Sequence, residues 1–282
     1  MSDFISIKQA LTTAYQQLQE NHSNNNKLEA DILLCHVINK DRSWLFTWPD
    51  KEITPAQQTT FTQLIRRRLK GEPISYIIGQ QEFWGIPLLV NEHTLIPRPE
   101  TELLVETALA LFDKKQPVNI LDLGTGSGAI AIALASERPH WNILATDVDQ
   151  DTLNMARKNC DKHSPQVTTQ LSHWFDNIKM SDFDLIISNP PYIEKNDPHL
   201  TQGDLRFEPQ HALHSGSDGL NDIRIIIEKS FQFLKHIQGY LLIEHGYDQA
   251  NRIRNLYKNF KFQDVRTIKD LAGHDRITLG HN

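Results

Sequence analysis

The chain has 282 residues, 39% of them hydrophobic and 23% charged, which predicts a packed globular core and argues against disorder. The formal net charge is −6, with 9 Lys and Arg against 8 Asp and Glu in residues 1–80 and 20 against 27 in the remainder. Neither part is strongly basic, so direct nucleic acid binding is not expected, because a duplex binder replaces released counterions with cationic surface.

Cys35 and Cys160 are the only cysteines, too few for a disulfide framework and without the Cys-x-x-Cys spacing of a zinc site. The 13 histidines are scattered, without a pair at ligand spacing on one helix, so no metal is expected. The start, Met1-Ser2-Asp3-Phe4, has no basic region followed by an apolar run. No stretch reaches the roughly 18 apolar residues of a membrane span, so the expected compartment is the cytoplasm and no membrane partner is expected.

Residues 1–80 read as a small all-helical domain. Ile7, Leu11, Ala14 and Leu18 recur at helical spacing. A polar break covers residues 21–26, and residues 28–38 form a second apolar helix. Thr54-Pro55, with Gln57 three residues after Thr54, marks the start of a third helix running to about Lys70. No strand pattern is visible here. The basic run Arg66-Arg67-Arg68 with Lys70 reads as a solvated helix face or as a partner-docking patch.

The pattern changes at residues 81–95. Glu82-Phe83-Trp84-Gly85 and Pro87-Leu88-Leu89-Val90 flank a turn, which predicts a β-hairpin linker. From 96 to 282, strands at 118–123, 142–146, 184–188, 240–244, 262–268 and 276–279 are interspersed with helices at 129–136, 152–160 and 223–233. Alternation of this kind predicts an α/β domain with a mostly parallel sheet.

The run Leu121-Asp122-Leu123-Gly124-Thr125-Gly126-Ser127-Gly128 closes the first of these strands and opens a helix. Glycines there permit a sharp turn and close approach of backbone to a ligand. Gly124, Gly126 and Ala129 also satisfy the looser nicotinamide fingerprint, so the loop alone does not choose a cofactor. Asp147 ends the next strand, where its carboxylate can accept both ribose hydroxyls of an adenosine. Alternatively it caps the following helix, in competition with Asp149 and Asp151.

Asn189-Pro190-Pro191-Tyr192 narrows the choice. It follows a strand directly, so in a parallel sheet it borders the same crevice as the glycine loop. The prolines stiffen the loop and fix the direction of Asn189 and of the Pro190 carbonyl. Those two acceptors suit the two hydrogens of a planar NH2 group, and Tyr192 offers a flat face to the same group. An amide nitrogen is a poor nucleophile because its lone pair is delocalised. Directed acceptors restore lone-pair character and favour positive charge developing on nitrogen. Alignment of the nitrogen with an incoming electrophile adds several of the roughly 7–11 kcal/mol available from orientation. The alternative reading of the tetrapeptide is a proline-stiffened turn.

With these motifs in this order, the chain resembles class I methyltransferases acting on planar nitrogen. More specifically, it is similar to the release factor glutamine methyltransferase (HemK/PrmC) family. Phe83-Trp84-Gly85, Leu95-Ile96-Pro97-Arg98-Pro99-Glu100-Thr101-Glu102 and Arg206-Phe207-Glu208-Pro209 also carry the resemblance. It implies a Rossmann-like, seven-stranded sheet and S-adenosylmethionine as methyl donor, with S-adenosylhomocysteine as product. It implies as substrate the glutamine of the Gly-Gly-Gln motif of class 1 peptide chain release factors, with the helical domain helping to bind that partner. By the same resemblance Gly124, Thr125, Gly126, Ser127, Gly128, Asp147, Trp174 and Asn189 contact the cofactor. Asn189, Pro190, Pro191 and Tyr192 hold the glutamine. Trp174 packs on the adenine or is a core residue. Relatives usually carry an acid just before this aromatic, whereas here it is His173, which leaves adenine recognition to a neutral acceptor or another group. Arg98, Glu100 and Glu208 are expected to line the pocket or support it. Rival substrates are a ribosomal protein glutamine and an adenine amino group in nucleic acid. A nicotinamide oxidoreductase and a noncatalytic module remain rivals of other classes.

Overall fold

Apolar residues at three- and four-residue intervals roll the first part of the chain into helices. The computed structural model describes residues 4–20 and 25–282, so residues 1–3 and most of the polar break at 21–26 lie outside the described residues. Contacts divide the chain into two units, Met1–Gly79 and Gln80–Asn282. In the first, β1 (Ile5–Ser6), α1 (Ile7–Glu20), α2 (Asn26–Ile38), α3 (Arg42–Thr47), β2 (Glu52–Ile53), α4 (Pro55–Leu69) and α5 (Ile74–Ile78) follow in order. Ile7, Leu11, Ala14 and Leu18 turn one face of α1 onto Leu33, Leu34, Phe61 and Ile65. The start of α4 is a reciprocal cap: Gln57 N–H donates to Thr54 Oγ1 at 3.2 Å and Thr54 N–H to Gln57 Oε1 at 2.9 Å.

One expectation for this unit needs correction. It is not wholly helical, because β1 and β2 pair antiparallel through Ile5–Ile53 and Ser6–Glu52. Two residues per strand are too few to leave an alternating pattern. In the basic run Arg66, Arg67 and Lys70 are exposed, as a solvated helix face requires, while Arg68 turns inward. Arg67 pairs with Glu72, and Arg68 forks onto Glu29 at 2.8 and 3.0 Å with both side chains largely buried.

The second unit opens with the hairpin β3 (Gln80–Phe83) and β4 (Ile86–Leu89). Phe83 and Leu88 are buried in this unit's core, and Leu89 exchanges two backbone hydrogen bonds with the side chain of Asn159. Then come α6 (Glu102–Leu111), β5 (Asn119–Leu123), α7 (Ala129–Glu137), β6 (Asn142–Asp147), α8 (Gln150–His163), β7 (Thr168–Leu171), β8 (Leu185–Ser188), α9 (Asn221–Ser230), β9 (Tyr240–Glu244), α10 (Ala250–Asn259), β10 (Gln263–Lys269) and β11 (Asp275–His281).

Seven of these strands form one sheet in the order β7-β6-β5-β8-β9-β11-β10. The first five run parallel, and β11 inserts antiparallel between β9 and β10. Successive side chains of a strand face opposite ways, so Ile120, Leu185, Ile187 and Leu242 enter one core while Leu121, Leu123, Ile186 and Leu241 enter the other. Each such buried Leu or Ile contributes about 1.5–3 kcal/mol. The chain leaves β5 toward β6 and β7, then crosses back to β8 on the other side. That reversal opens a crevice above the carboxyl ends of β5 and β8. Six of the seven strands were readable from apolar runs. β7, Thr-Thr-Gln-Leu at a sheet edge, is polar and only partly covered, so it left no such run. Among the described residues no helix is long and apolar enough to cross a membrane.

Candidate active site

A cavity of about 330 Å³ lies in the second unit, within the roughly 300–1,000 Å³ range of small-molecule sites. Gly124, Thr125, Gly126, Ser127, Asp147, Trp174, Asn189 and Pro191 line it, so residues from four separate segments meet there. A smaller chamber of about 70 Å³ is lined by Pro190 and Tyr192 and shares Leu95, Arg98, Asn189 and Ala212 with the larger one. Asn189 and Arg98 therefore border both spaces.

The glycine loop sits at the end of β5, with φ of +70°, +58° and +86° at Gly124, Gly126 and Gly128, a region that favours glycine. A Cβ on Gly124 would meet the Trp174 ring at 3.5 Å. Gly128 does not line the cavity. Its Cβ position faces Ile132 at 3.1 Å and the Cys160 sulfur at 3.6 Å, so its part is close packing of α7 against α8. Asp147, at the end of β6, accepts Gly126 N–H at 3.0 Å and Asp149 N–H at 3.1 Å. The helix cap is Asp149, which accepts from Thr152 N–H, so Asp147 is not needed for capping. Burial raises the Asp147 carboxyl, opposed by those backbone donors. Asp122, fully enclosed beneath the loop, is pushed up to about 7 by burial, against the pull of its hydrogen bond from Thr125.

Trp174 is half-buried with φ +48°, and its Nε1–H donates to Asp222 at 3.1 Å. It borders the cavity and also packs against the core. Asp222, which also takes the Ser215 hydroxyl, was not marked by any sequence pattern. His173 lies on the cavity wall, and its Nδ1 pairs with Asp176 at 3.2 Å. When Nδ1 carries the proton, Nε2 is a neutral acceptor.

Asn189 follows β8, where the Ser188 hydroxyl ties the strand end to the Leu123 carbonyl. Its Nδ2 donates to Thr101 Oγ1 at 3.1 Å, leaving Oδ1 as the acceptor. The Tyr192 carbonyl takes Gln249 Nε2 at 2.8 Å, and a Cβ on Gly219 would lie 2.2 Å from that same oxygen, so only glycine fits there. Burial raises the Tyr192 hydroxyl above its usual range. That hydroxyl points to Glu244 Oε1 at 3.4 Å. Glu208 is buried and accepts both Ile96 N–H and the Arg98 guanidinium, which anchors the segment carrying Arg98 at the cavity wall. Glu100 is exposed. Thr101 and Glu244 were missed as site residues. The available signal was positional, since Glu244 ends an apolar parallel strand just as Asp147 does.

A methyltransferase is the class that this sheet, glycine loop and pair of adjoining chambers with shared lining residues define. Residues 9–79 match the PrmC N-terminal domain model and residues 99–217 the methyltransferase small domain model. The chain is 46% identical over 283 residues to the release factor glutamine methyltransferase of Vibrio cholerae, covering 98% of this chain and 96% of that one. With the Shewanella oneidensis protein of the same description the identity is 44% over 281 residues, 99% and 97% of the two chains. A methyltransferase structure from Pyrococcus furiosus shares the fold, with a TM-score of 0.54 at 18% identity over 78% of this chain and 98% of that one. The chain belongs to the release factor glutamine methyltransferase family.

Proposed function

We propose that the chain transfers a methyl group from S-adenosylmethionine to the side-chain amide nitrogen of the glutamine in the Gly-Gly-Gln motif of class 1 release factors, in the cytoplasm. The observation that carries this reading is the position of Asn189 on the wall shared by the two chambers. The larger chamber fits the cofactor on its own terms: Ser127 Oγ is buried without a hydrogen-bond partner at its wall, and Asp147 stands ready beside the loop. Gly124, Thr125, Gly126, Ser127, Asp147, Trp174 and Asn189 would hold it, with Gly128 shaping the turn. When bound, S-adenosylmethionine supplies an electrophilic methyl group.

The chain's own residues then act on the amide. Asn189 Oδ1 and the Pro190 carbonyl accept its two hydrogens, and the Tyr192 ring covers its plane. Both acceptors favour positive charge on the nitrogen as the new N–C bond forms. The methylated nitrogen afterwards loses a proton, which returns the amide to neutrality without a dedicated base. We assign residues 1–80 to recognition of the release factor and residues 81–95 to the connection; support comes from the separate core of the first unit and its match to the PrmC N-terminal domain. The test is methyl transfer from labelled S-adenosylmethionine to a purified release factor beside a copy with the Gly-Gly-Gln glutamine replaced. Label on the first alone is expected; equal label on both, or on a ribosomal protein instead, overturns the reading.

A further inference from the structure

Gln249 stands one residue before α10, where a short oxygen-bearing side chain ordinarily caps a helix. Its side chain makes no cap hydrogen bond, and the residue is 3% exposed. The amide bridges the loops that follow β9 and β8 instead. Its Oε1 accepts Gly246 N–H at 2.9 Å, and its Nε2 donates to the Tyr192 carbonyl at 2.8 Å. An N–H demands the oxygen and a carbonyl demands the nitrogen, so turning the amide over would break both bonds. Gly219 shows how closely the second contact is packed. A Cβ there would lie 2.2 Å from the Tyr192 oxygen and 2.7 Å from Gln249 Nε2.

The place where Gln249 acts is the weak point of its loop. Pro190 and Pro191 have no N–H, so the stretch before Tyr192 cannot be held by backbone donors of its own. After Tyr192, Ile193 N–H donates to the Leu213 carbonyl at 3.0 Å and the Ile193 carbonyl accepts Ser215 N–H at 2.9 Å. The Tyr192 carbonyl lies between these two stretches. Holding it fixes the peptide plane from which the Tyr192 side chain projects. Pro190 and Tyr192 line the smaller chamber, whereas Gln249 lines neither chamber. Its influence on a bound substrate therefore passes through Tyr192.

We propose that Gln249 is a positioning residue for methyl transfer: by holding the Tyr192 carbonyl it sets the Tyr192 ring, and the Pro190 carbonyl two residues earlier, against the substrate amide. The inference rests on the proposed reaction for its consequence, while the placement of Tyr192 is measured without turnover. The experiment compares wild type with Gln249→Met and Gln249→Glu. Methionine keeps the length and removes both hydrogen-bonding ends. Glutamate keeps an acceptor for Gly246 N–H; ionised, it sets a second acceptor against the Tyr192 carbonyl, and protonated, it donates again. Burial raises such a carboxyl, which brings this change toward neutral pH.

The measurements are kcat for a release factor and cofactor Kd by calorimetry, between about pH 6 and about pH 9, with crystal structures of wild type and Gln249→Met. Gln249→Met should lower kcat by about 10–100-fold and move the Tyr192 ring by about 1 Å, with cofactor Kd within about threefold of wild type. In Gln249→Glu, kcat relative to wild type should fall at least about tenfold as pH rises, with Kd flat. The ionisable groups flanking the contact, Glu244 and His245 after β9, Asp218 before Gly219, Asp248, and Arg252 on α10, are common to both proteins and cancel in that ratio. Unchanged kcat in Gln249→Met, a parallel loss of cofactor affinity, a Gln249→Glu ratio that is flat with pH, or an unmoved Tyr192 overturns the proposal. If wild type leaves the release factor unlabelled, the substrate assignment fails, and the crystal comparison alone decides whether Gln249 places Tyr192.

Discussion

The two sides of the cavity are built in different ways. On the β5 and β6 side, backbone groups do the holding: Gly126 N–H and Asp149 N–H fix Asp147, and Thr125 N–H bonds the Thr146 carbonyl at 2.8 Å. On the β8 and β9 side, side chains do it: Asn189 leans on Thr101, the Tyr192 hydroxyl on Glu244, and the Tyr192 carbonyl on Gln249. A backbone-built site tolerates many side chains and binds a ligand common to many folds. A side-chain network fixes the direction of single atoms, which is what chemistry on one planar nitrogen needs, and one substitution can misalign it.

Asn189→Ala separates the sides most strongly. It should lower kcat by about 10²–10³-fold, the usual effect of removing one directed group at a developing charge, and weaken cofactor binding much less. Equal losses in both, measured by steady-state kinetics and calorimetry, would place Asn189 on the cofactor side. Asp147→Ala should do the converse, raising cofactor Kd by about 10–100-fold, as expected for hydrogen bonds to a charged acceptor, with kcat at saturating cofactor within a few-fold. An unchanged Kd would break the assignment of that side.

Stability against pH sharpens the contrast next. The Glu244 carboxyl sits at about 7, chiefly because burial disfavours its charged form. The native state therefore keeps a proton that the unfolded chain releases above about pH 4. The stability this group contributes falls as pH rises from about 4 to about 7 and stays lower above that. Glu244→Gln abolishes the titration, so its melting temperature relative to wild type should rise between pH 5 and pH 8. A difference that does not change with pH, read by calorimetry, would mean that Glu244 keeps its charge throughout. The smallest effect is on the backbone-built side. Gly128→Ala must hold φ +86° against Ile132, a strain of about 1–2 kcal/mol, which lowers the melting temperature by roughly 5 °C and leaves cofactor affinity nearly intact. A large affinity loss would return Gly128 to direct ligand contact.

Some helices escaped the sequence reading for local reasons. α3 and α5 have only 6 and 5 residues, too short for a periodic pattern. α10 was hidden by its charge, because Arg252, Arg254 and Lys258 surround a narrow stripe of Ala250, Ile253 and Tyr257. The capping box at Thr54, the existence of the hairpin and six of the seven strands of the main sheet were legible, since each depends on residues a few positions apart; the hairpin's turn falls at Trp84-Gly85, earlier than the flanking runs suggested.

The same distinction holds at the site. The glycine loop, Asp147 and Asn189-Pro190-Pro191-Tyr192 are local motifs, each complete within a strand end and its loop, and their order along the chain is enough to group them above one sheet edge. Tertiary structure alone decided which partners orient them. Thr101 and Asn189 are 88 positions apart, and Tyr192 and Glu244 are 52. No spacing rule links such pairs, because the sheet order sets β9 beside β8 and so brings Glu244 to the loop that carries Tyr192. Asp149 capping α8, leaving Asp147 to the cavity, was settled in the same way, by the direction of one side chain in the folded chain.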